Sequence, residues 1–297
     1  MNASPPAIEF FKGHGTGNDF VLFPDPDGEL LLTEDMVARI CDRRFGIGGD
    51  GVIRIVRTTA ITEAEHVRDK AEWFMDYRNA DGSLAAMCGN GSRVFARYLL
   101  DKQLVDGDFT IATRAGTHAC REESDGSISV DMGYPIEGPD DPEVAVTLGD
   151  RSWPADARWL PNPHAVVFVD DVAALGDIAG ATVTQGSERF PDGQNIEFVS
   201  HVDSPADHPG DPAGPSARIR VLERGVGETL SCGTGACAVA LAVRARLGLT
   251  GTGTVCVDVP GGTVVVTQGS DGRVTLTGPA AIVASGQFDP VWWKGLA

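Results

Sequence analysis

Basic residues are in short supply. Lysine and arginine together number 24 against 42 aspartates and glutamates, a formal net charge of −18. A chain this acidic repels phosphate backbones and anionic lipid surfaces, so neither nucleic acid nor a membrane surface is the expected partner. Long apolar runs are also missing. The longest fully apolar run beside a motif, Ala236 to Val243, falls far short of the ~20 residues of a membrane helix. The N-terminal run Met1-Asn2-Ala3-Ser4-Pro5-Pro6 lacks the basic and apolar regions of a secretion signal. Six cysteines are scattered, without the density of a disulfide scaffold, and the expected compartment is the reduced cytoplasm. Zinc-like spacing is absent: Cys232 and Cys237 have no second cysteine pair, and the six histidines are dispersed. No serine-hydrolase elbow or P-loop appears. Lysine is scarce, and none sits in a pyridoxal-binding context. The expected cofactor is none, and the expected metal is none. Gly46-Ile47-Gly48-Gly49-Asp50-Gly51 formally matches a dinucleotide fingerprint. The β-branched run Val52 to Val56 follows it where a nucleotide site needs a helix, so it is not read as one.

What the chain does have is one motif used twice. Cys88-Gly89-Asn90-Gly91 and Cys232-Gly233-Thr234-Gly235 each lead into an Ala- or Leu-rich stretch that reads as a helix. The helix dipole and the first-turn N–H groups favour negative charge on a cysteine placed there, which suits a thiolate. The glycines let an anion approach the backbone. The two cysteines lie 144 residues apart, and so do Asn18 and Asn162, Gly51 and Asn195, and Asn79 and Glu223. Four landmarks at one offset point to an internal duplication: two similar domains, each with one thiol, closing over a shared cleft. Two facing thiols are a pair of acid/base groups, the equipment for inverting a carbon centre. Cys41, Cys120, Cys237 and Cys256 carry no such context and read as small buried hydrophobes. His164 reads equally well as a satisfied core histidine or a site residue. Glu223 and Arg224 could form a surface charge pair, but the repeat mate Asn79 favours the cleft.

The length suits about two domains. Expected strands cover Glu9 to Lys12, Phe20 to Phe23, Val52 to Val56, Ala71 to Tyr77, Phe109 to Thr113 and Ile128 to Met132. A helix is expected over Thr33 to Cys41 with Thr33 as its cap. After Cys88, Val94, Phe95, Tyr98 and Leu99 should point into a core. The second half repeats the order: a strand near Ala165, a helical region near Val172, strands near Ile196 and Ala217, then a helix apolar nearly all round, with Gly248 as its C-cap. Val255 to Val257 and Thr263 to Thr267 read as a hairpin. The expected fold is α+β in two similar lobes, each a curled, barrel-like sheet around a buried helix. Their bounds are 1–136 and 137–297, with the final strand near 281–297 packing back on the N-terminal lobe. Tyr134 to Glu143 marks the boundary, and Asp203 to Ser216 a loop insertion or mobile segment.

These motifs resemble the diaminopimelate epimerase family along the whole chain: Lys12 to Phe20, Asp42 to Gly48, Asn79 to Ser83, Met87 to Gly91, Asn162-Pro163-His164 and, most specifically, Glu223 to Gly235. The resemblance implies cofactor-independent epimerisation of LL- to meso-diaminopimelate, with Cys88 and Cys232 as the two bases, in lysine and cell-wall precursor biosynthesis. It implies a two-lobed fold of barrel-like sheets around central helices. It implies substrate contacts from Asn18, Asn79, Asn162, Asn195, Glu223 and Arg224, and from the backbone at Gly89, Asn90, Gly233 and Thr234. His164 and Glu223 are implied as neighbours that tune the thiols. The chain departs from the family at Gly51, where many members have Gln, and at Ala284, where some members place a dimer-forming Tyr; a homodimer is one assembly the resemblance allows. Two other readings stand beside this one. A proline racemase or hydroxyproline epimerase shares the architecture but usually has His after the first Cys-Gly, where this chain has Asn90. A thiol redox protein would bridge Cys88 and Cys232 and exchange no proton at carbon.

Overall fold

The computed structural model describes residues 8–136, 143–202 and 214–296. Most of the two Pro-, Gly- and Asp-rich stretches, residues 137–142 and 203–213, falls outside those residues. The chain divides into two compact units, Met1–Val130 with Pro279–Ala297, and Asp131–Gly278.

In the first unit the chain runs through β1 (Glu9–Gly15), β2 (Asn18–Pro24), α1 (Glu34–Cys41), β3 (Gly51–Arg57), β4 (Trp73–Asn79), α2 (Gly89–Asp101), β5 (Phe109–Thr113), β6 (Gly116–Glu122) and the first half of β7 (Ile128–Gly133), which ends in the second unit. Strand alternation explains the layering. Val21, Phe23 and Val52 join the cluster formed with Met36, Val37 and Ile40 of α1, so Phe20, Leu22 and Ile53 face the other way. That inner face holds α2, which packs against β1, β2, β3 and β4. Val94, Phe95, Tyr98 and Leu99 are all buried, as their spacing requires. Thr33 caps α1 by accepting from the Met36 N–H. The strand expected from Ala71 begins at Trp73.

The second unit runs through β8 (Val144–Leu148), β9 (Arg151–Trp159), β10 (Pro163–Phe168), β11 (Thr182–Gln185), β12 (Asn195–Val202), β13 (Ser216–Glu223), β14 (Gly227–Thr229), α3 (Gly233–Arg246), β15 (Gly253–Val259), β16 (Gly262–Gln268) and β17 (Val274–Gly278). Ala165, Val167, Ile196 and Phe198 pack on one face of the sheet with Val144, Leu175 and Phe190. His164, Asn195 and Glu197 therefore lie on the other face, toward α3. That helix packs against β9, β10, β12, β13, β15, β16 and β17. An apolar helix enclosed by a curled sheet needs no polar face. Gly248 follows the last helical turn at φ +66°, and the Leu249 N–H reaches back to the Arg244 carbonyl at 2.9 Å. The helical region near Val172 is a single 3₁₀ turn, Val172–Leu175.

Chain then returns to the first unit. β18 (Ala281–Gln287) pairs antiparallel with β1, and the short α4 (Pro290–Lys294) follows. Phe288, Trp292, Trp293 and Leu296 pack against Val21, Phe23 and α1.

The repeat is present residue by residue. In the first unit β2 and β3 pair in parallel with Phe20 opposite Gly51; in the second, β10 and β12 pair in parallel with His164 opposite Asn195. Both residues of the second pair lie 144 positions after those of the first. The next pairs agree as well, Val52 opposite Arg78 and Ile196 opposite Leu222. A one-residue slip would exchange the two faces of a strand, so equal register means equal side-chain direction. The fold is α+β with one enclosed helix per unit.

Candidate active site

Each enclosed helix begins at its cysteine. Cys88 is the N-cap of α2, and its Sγ accepts the Gly91 N–H at 3.3 Å. Cys232 is the N-cap of α3, and its Sγ accepts the Gly235 N–H at 3.4 Å. A sulfur occupies the place usually held by a Ser or Asp oxygen, at the positive end of the helix. Gly89 and Asn90, and Gly233 and Thr234, form the first turns.

Around Cys88 the groups are amides. Asn18 Oδ1 lies 3.8 Å from the Cys88 sulfur and accepts from Asn90 Nδ2 at 3.2 Å. Its orientation is fixed from behind, because Asn18 Nδ2 donates to Asp50 at 2.8 Å. Asp50 in turn accepts from Arg43 at 2.8 Å, and Arg43 grips Asp19 with two bonds of 3.0 and 2.6 Å. Lys12 completes the cluster, 2.6 Å from Asp19. Partial burial alone would raise the Asp19 carboxyl, but hydrogen bonds from Arg43 and Lys12 outweigh it and hold it well below the usual range. Asn79 ends β4, accepts from the Tyr77 hydroxyl at 3.0 Å and donates to Ser83 at 3.0 Å. Arg93, fully buried in α2, donates to Asn90 Oδ1 at 3.0 Å.

Around Cys232 an amide and a hydroxyl are joined by two carboxylates. Asn195 Nδ2 points at its sulfur from 3.6 Å, and the Thr234 hydroxyl lies 3.4 Å away. Glu223 ends β13, hydrogen-bonds with Cys232 and accepts from Thr229. His164 Nδ1 lies 2.7 Å from Glu197 Oε1, both side chains 0% exposed. Burial first, then the negative charges of Glu223 and Glu197, push the Cys232 thiol well above its ordinary value; Thr234 and the Gly235 N–H act against them. Burial and the nearby Glu197 raise Glu223 too, against the Thr229 bond. These surroundings favour the thiol form of Cys232. For comparison, burial pushes Cys41 up to about 12, which leaves it inert.

Arg224 is exposed. Its N–H donates to Asn195 Oδ1 at 3.0 Å, and its guanidinium is held by the carbonyls of Asp192 and Gly193 at 2.6 and 3.3 Å. It does not pair with Glu223 among the described residues. Asn162 is half-buried just before β10, and its carbonyl accepts the Leu160 N–H.

The structure thus groups Asn18 and Asn90 about Cys88, and Asn195, Glu223 and Thr234 about Cys232. Three residues escaped the sequence reading. Asp50 lay inside a glycine run weighed only as a nucleotide motif. Glu197 left a visible signal, a charge two residues after Asn195 in an apolar strand and so on the same face. Tyr77 stands beside Gly51, where an added Cβ would meet the Arg78 carbonyl at 2.5 Å and the Tyr77 ring at 2.6 Å.

The diaminopimelate epimerase family model matches residues 10–136 and 160–283. A diaminopimelate epimerase from Streptomyces coelicolor is 49% identical over 295 residues, covering 97% of this chain and 98% of its own. One from Corynebacterium glutamicum (strain R) is 44% identical over 296 residues, covering 94% and 98%. One from Mycobacterium leprae (strain Br4923) is 42% identical over 304 residues, covering 97% and 98%. In fold, the chain resembles a hydroxyproline epimerase from Agrobacterium vitis with bound trans-4-OH-L-proline, at TM-score 0.63 and 15% identity over 97% of this chain and 94% of that one. It also resembles a PhzF-family phenazine biosynthesis protein from Bacillus anthracis, at TM-score 0.62 and 17% identity over 96% and 100%. At such identities the likeness is one of fold.

Proposed function

Because this chain belongs to the diaminopimelate epimerase family, we propose that it interconverts LL- and meso-diaminopimelate by a two-cysteine mechanism without added cofactor. The observation that carries the reading is the matched placement of Cys88 and Cys232. Each is an N-cap whose sulfur accepts the third-residue N–H, and each stands at the same position of a repeated fold.

The chemistry follows from that placement. An α-proton is far less acidic than a thiol, so the carbanion-like charge must be stabilised as it forms. First-turn N–H groups of α2 and α3 offer dipoles to the α-carboxylate, where that charge spreads. One cysteine must be a thiolate and the other a thiol. Cys232, desolvated and flanked by two carboxylates, is the resting acid, and Cys88 is the base. Roles exchange in the reverse direction. A well-placed acid or base contributes about 10²–10⁴-fold. Asn18, Asn79, Asn162 and Asn195 supply neutral donors and acceptors to the substrate. Arg224 is the cation for its distal carboxylate, which a guanidinium can grip through two bonds. We propose that the enzyme works in the cytoplasm, as a role in amino-acid biosynthesis implies.

The test is incubation with LL- and meso-diaminopimelate in D₂O, following α-deuterium by NMR. Cys88→Ala and Cys232→Ala should each abolish epimerisation with the fold intact, while Cys41→Ala, Cys120→Ala and Cys256→Ala stay active. More than a few per cent of activity in either single variant refutes the scheme. Turnover of proline or hydroxyproline in place of diaminopimelate selects the proline racemase reading, and thiol–disulfide turnover without deuterium uptake selects the redox reading.

A further inference from the structure

The second unit carries a buried carboxylate that the sequence reading did not single out. Glu197 and His164 are each 0% exposed and 2.7 Å apart. His164 Nε2 and Glu197 Oε2 have no hydrogen-bond partner among the described residues. A half-satisfied buried pair is a liability for folding. The repeat shows that the fold has another solution. The equivalent positions in the first unit are Phe20 and Ile53, both 0% exposed and in the same strand register. Beneath the first turn of α2, a Cβ on Gly91 would meet the Ile53 methyl at 3.4 Å. Beneath the first turn of α3, a Cβ on Gly235 would meet Glu197 Oε1 at 2.7 Å. A carboxylate thus stands next to the Cys232 turn, where its repeat mate next to the Cys88 turn is a hydrocarbon.

We propose that Glu197 is a positioning residue of the Cys232 half-site: it fixes His164 as the Nδ1–H tautomer and, by its charge, keeps Cys232 protonated at rest. The inference rests on the epimerase reading. The groups that act on Cys232 are Asn195 and Glu197 from β12, Glu223 from β13, and Thr234 with the Gly235 N–H from α3 itself, with His164 from β10 bonded to Glu197. The Arg224 guanidinium is turned to the Asp192 and Gly193 carbonyls. Two carboxylates and one imidazole therefore set the balance. Removing one negative neighbour stabilises the thiolate, so the Cys232 midpoint must fall.

The experiment measures iodoacetamide alkylation of Cys232 by peptide mass spectrometry in a Cys88→Ala background. Glu197→Gln should lower the Cys232 midpoint by about one pH unit. At a fixed pH of about 8 this reads as alkylation about tenfold faster. With Cys88 present, the alkaline limb of kcat/KM should move down by the same amount while KM holds. Glu197→Asp, which keeps the charge, should restore the limb. An unmoved midpoint and limb in Glu197→Gln overturn the proposal. Should Glu197→Gln fail to fold, the double variant His164→Phe with Glu197→Ile installs the first unit's own pair. It should fold at the parent's Tm or above and alkylate faster at Cys232; a parental rate in that folded variant overturns the proposal equally. Alkylation does not depend on turnover. A shifted rate in a protein that exchanges no α-proton refutes the epimerase reading and leaves the Glu197 effect standing.

Discussion

Gly91→Ala and Gly235→Ala are the same change at the same position of two equivalent helices, yet the structure requires opposite outcomes. Both glycines are the third residue of their helix, and both lend an N–H to the capping sulfur. Alanine in place of helical glycine stabilises by up to about 1 kcal/mol. At Gly91 the new methyl meets Ile53 Cδ1 and Cys88 Cβ at 3.4 Å, ordinary van der Waals contact, so that gain survives. At Gly235 it meets Glu197 Oε1 at 2.7 Å. The carboxylate must retreat by about 0.7 Å to reach normal contact, and Oε1 is the atom that holds His164 Nδ1 at 2.7 Å. Weakening a buried hydrogen bond to a charged group costs about 1.5–3 kcal/mol. Gly235→Ala is therefore destabilised by about 1–2 kcal/mol net, and the two variants differ by about 2–3 kcal/mol. For a chain of 297 residues that separates their melting temperatures by about 3–5 °C, with Gly91→Ala the more stable. Differential scanning calorimetry of the three proteins reads the difference. Equal melting temperatures, or the reverse order, would show that Glu197 does not sit under the first turn of α3.

Two further outcomes follow from the same geometry. Arg224→Met should lower kcat/KM for diaminopimelate by about 30-fold or more, the least expected when a substrate carboxylate loses its cation at about 2 kcal/mol. Steady-state kinetics check it, and a wild-type value would make Arg224 a surface residue with the distal anchor elsewhere. Gln103 follows the C-cap of α2 at φ +55°, and the residue in the same place after α3, which is one residue longer, is Gly248 at +66°. Gln103→Gly should therefore stabilise by about 0.5–1 kcal/mol, since glycine takes the left-handed region at no steric cost; an unchanged or lower midpoint in urea refutes this.

Much of the fold was legible because its signals are local. Thr33 before an amphipathic stretch, Cys-Gly-x-Gly before an apolar one, and Phe20 to Phe23 between turn residues each declare an element within a few positions. Edge and connecting strands were not. Neither β6, with only Cys120 buried, nor β11, with no buried residue, has a hydrophobic alternation to announce it; pairing with neighbours makes them strands. Candidate site residues were legible wherever the repeat gave each a mate. Asp50, Tyr77 and Glu197 were missed because each acts through a partner 2 to 33 positions away in the chain, Tyr77 with Asn79, Asp50 with Asn18 and Glu197 with His164.

The sequence alone determined the duplication, the two cysteine-capped helices and the family motifs, because each is a pattern of residue type and spacing along the chain. Only the tertiary structure decided that the two halves differ in kind. Ile53 lies under the Cys88 turn, and Glu197, bonded to His164, lies under the Cys232 turn. The electrostatic state of a thiol depends on what lies within a few ångströms of it and on how much water is excluded. Parallel strand register and helix burial set both, and neither is a property of the chain read in one dimension.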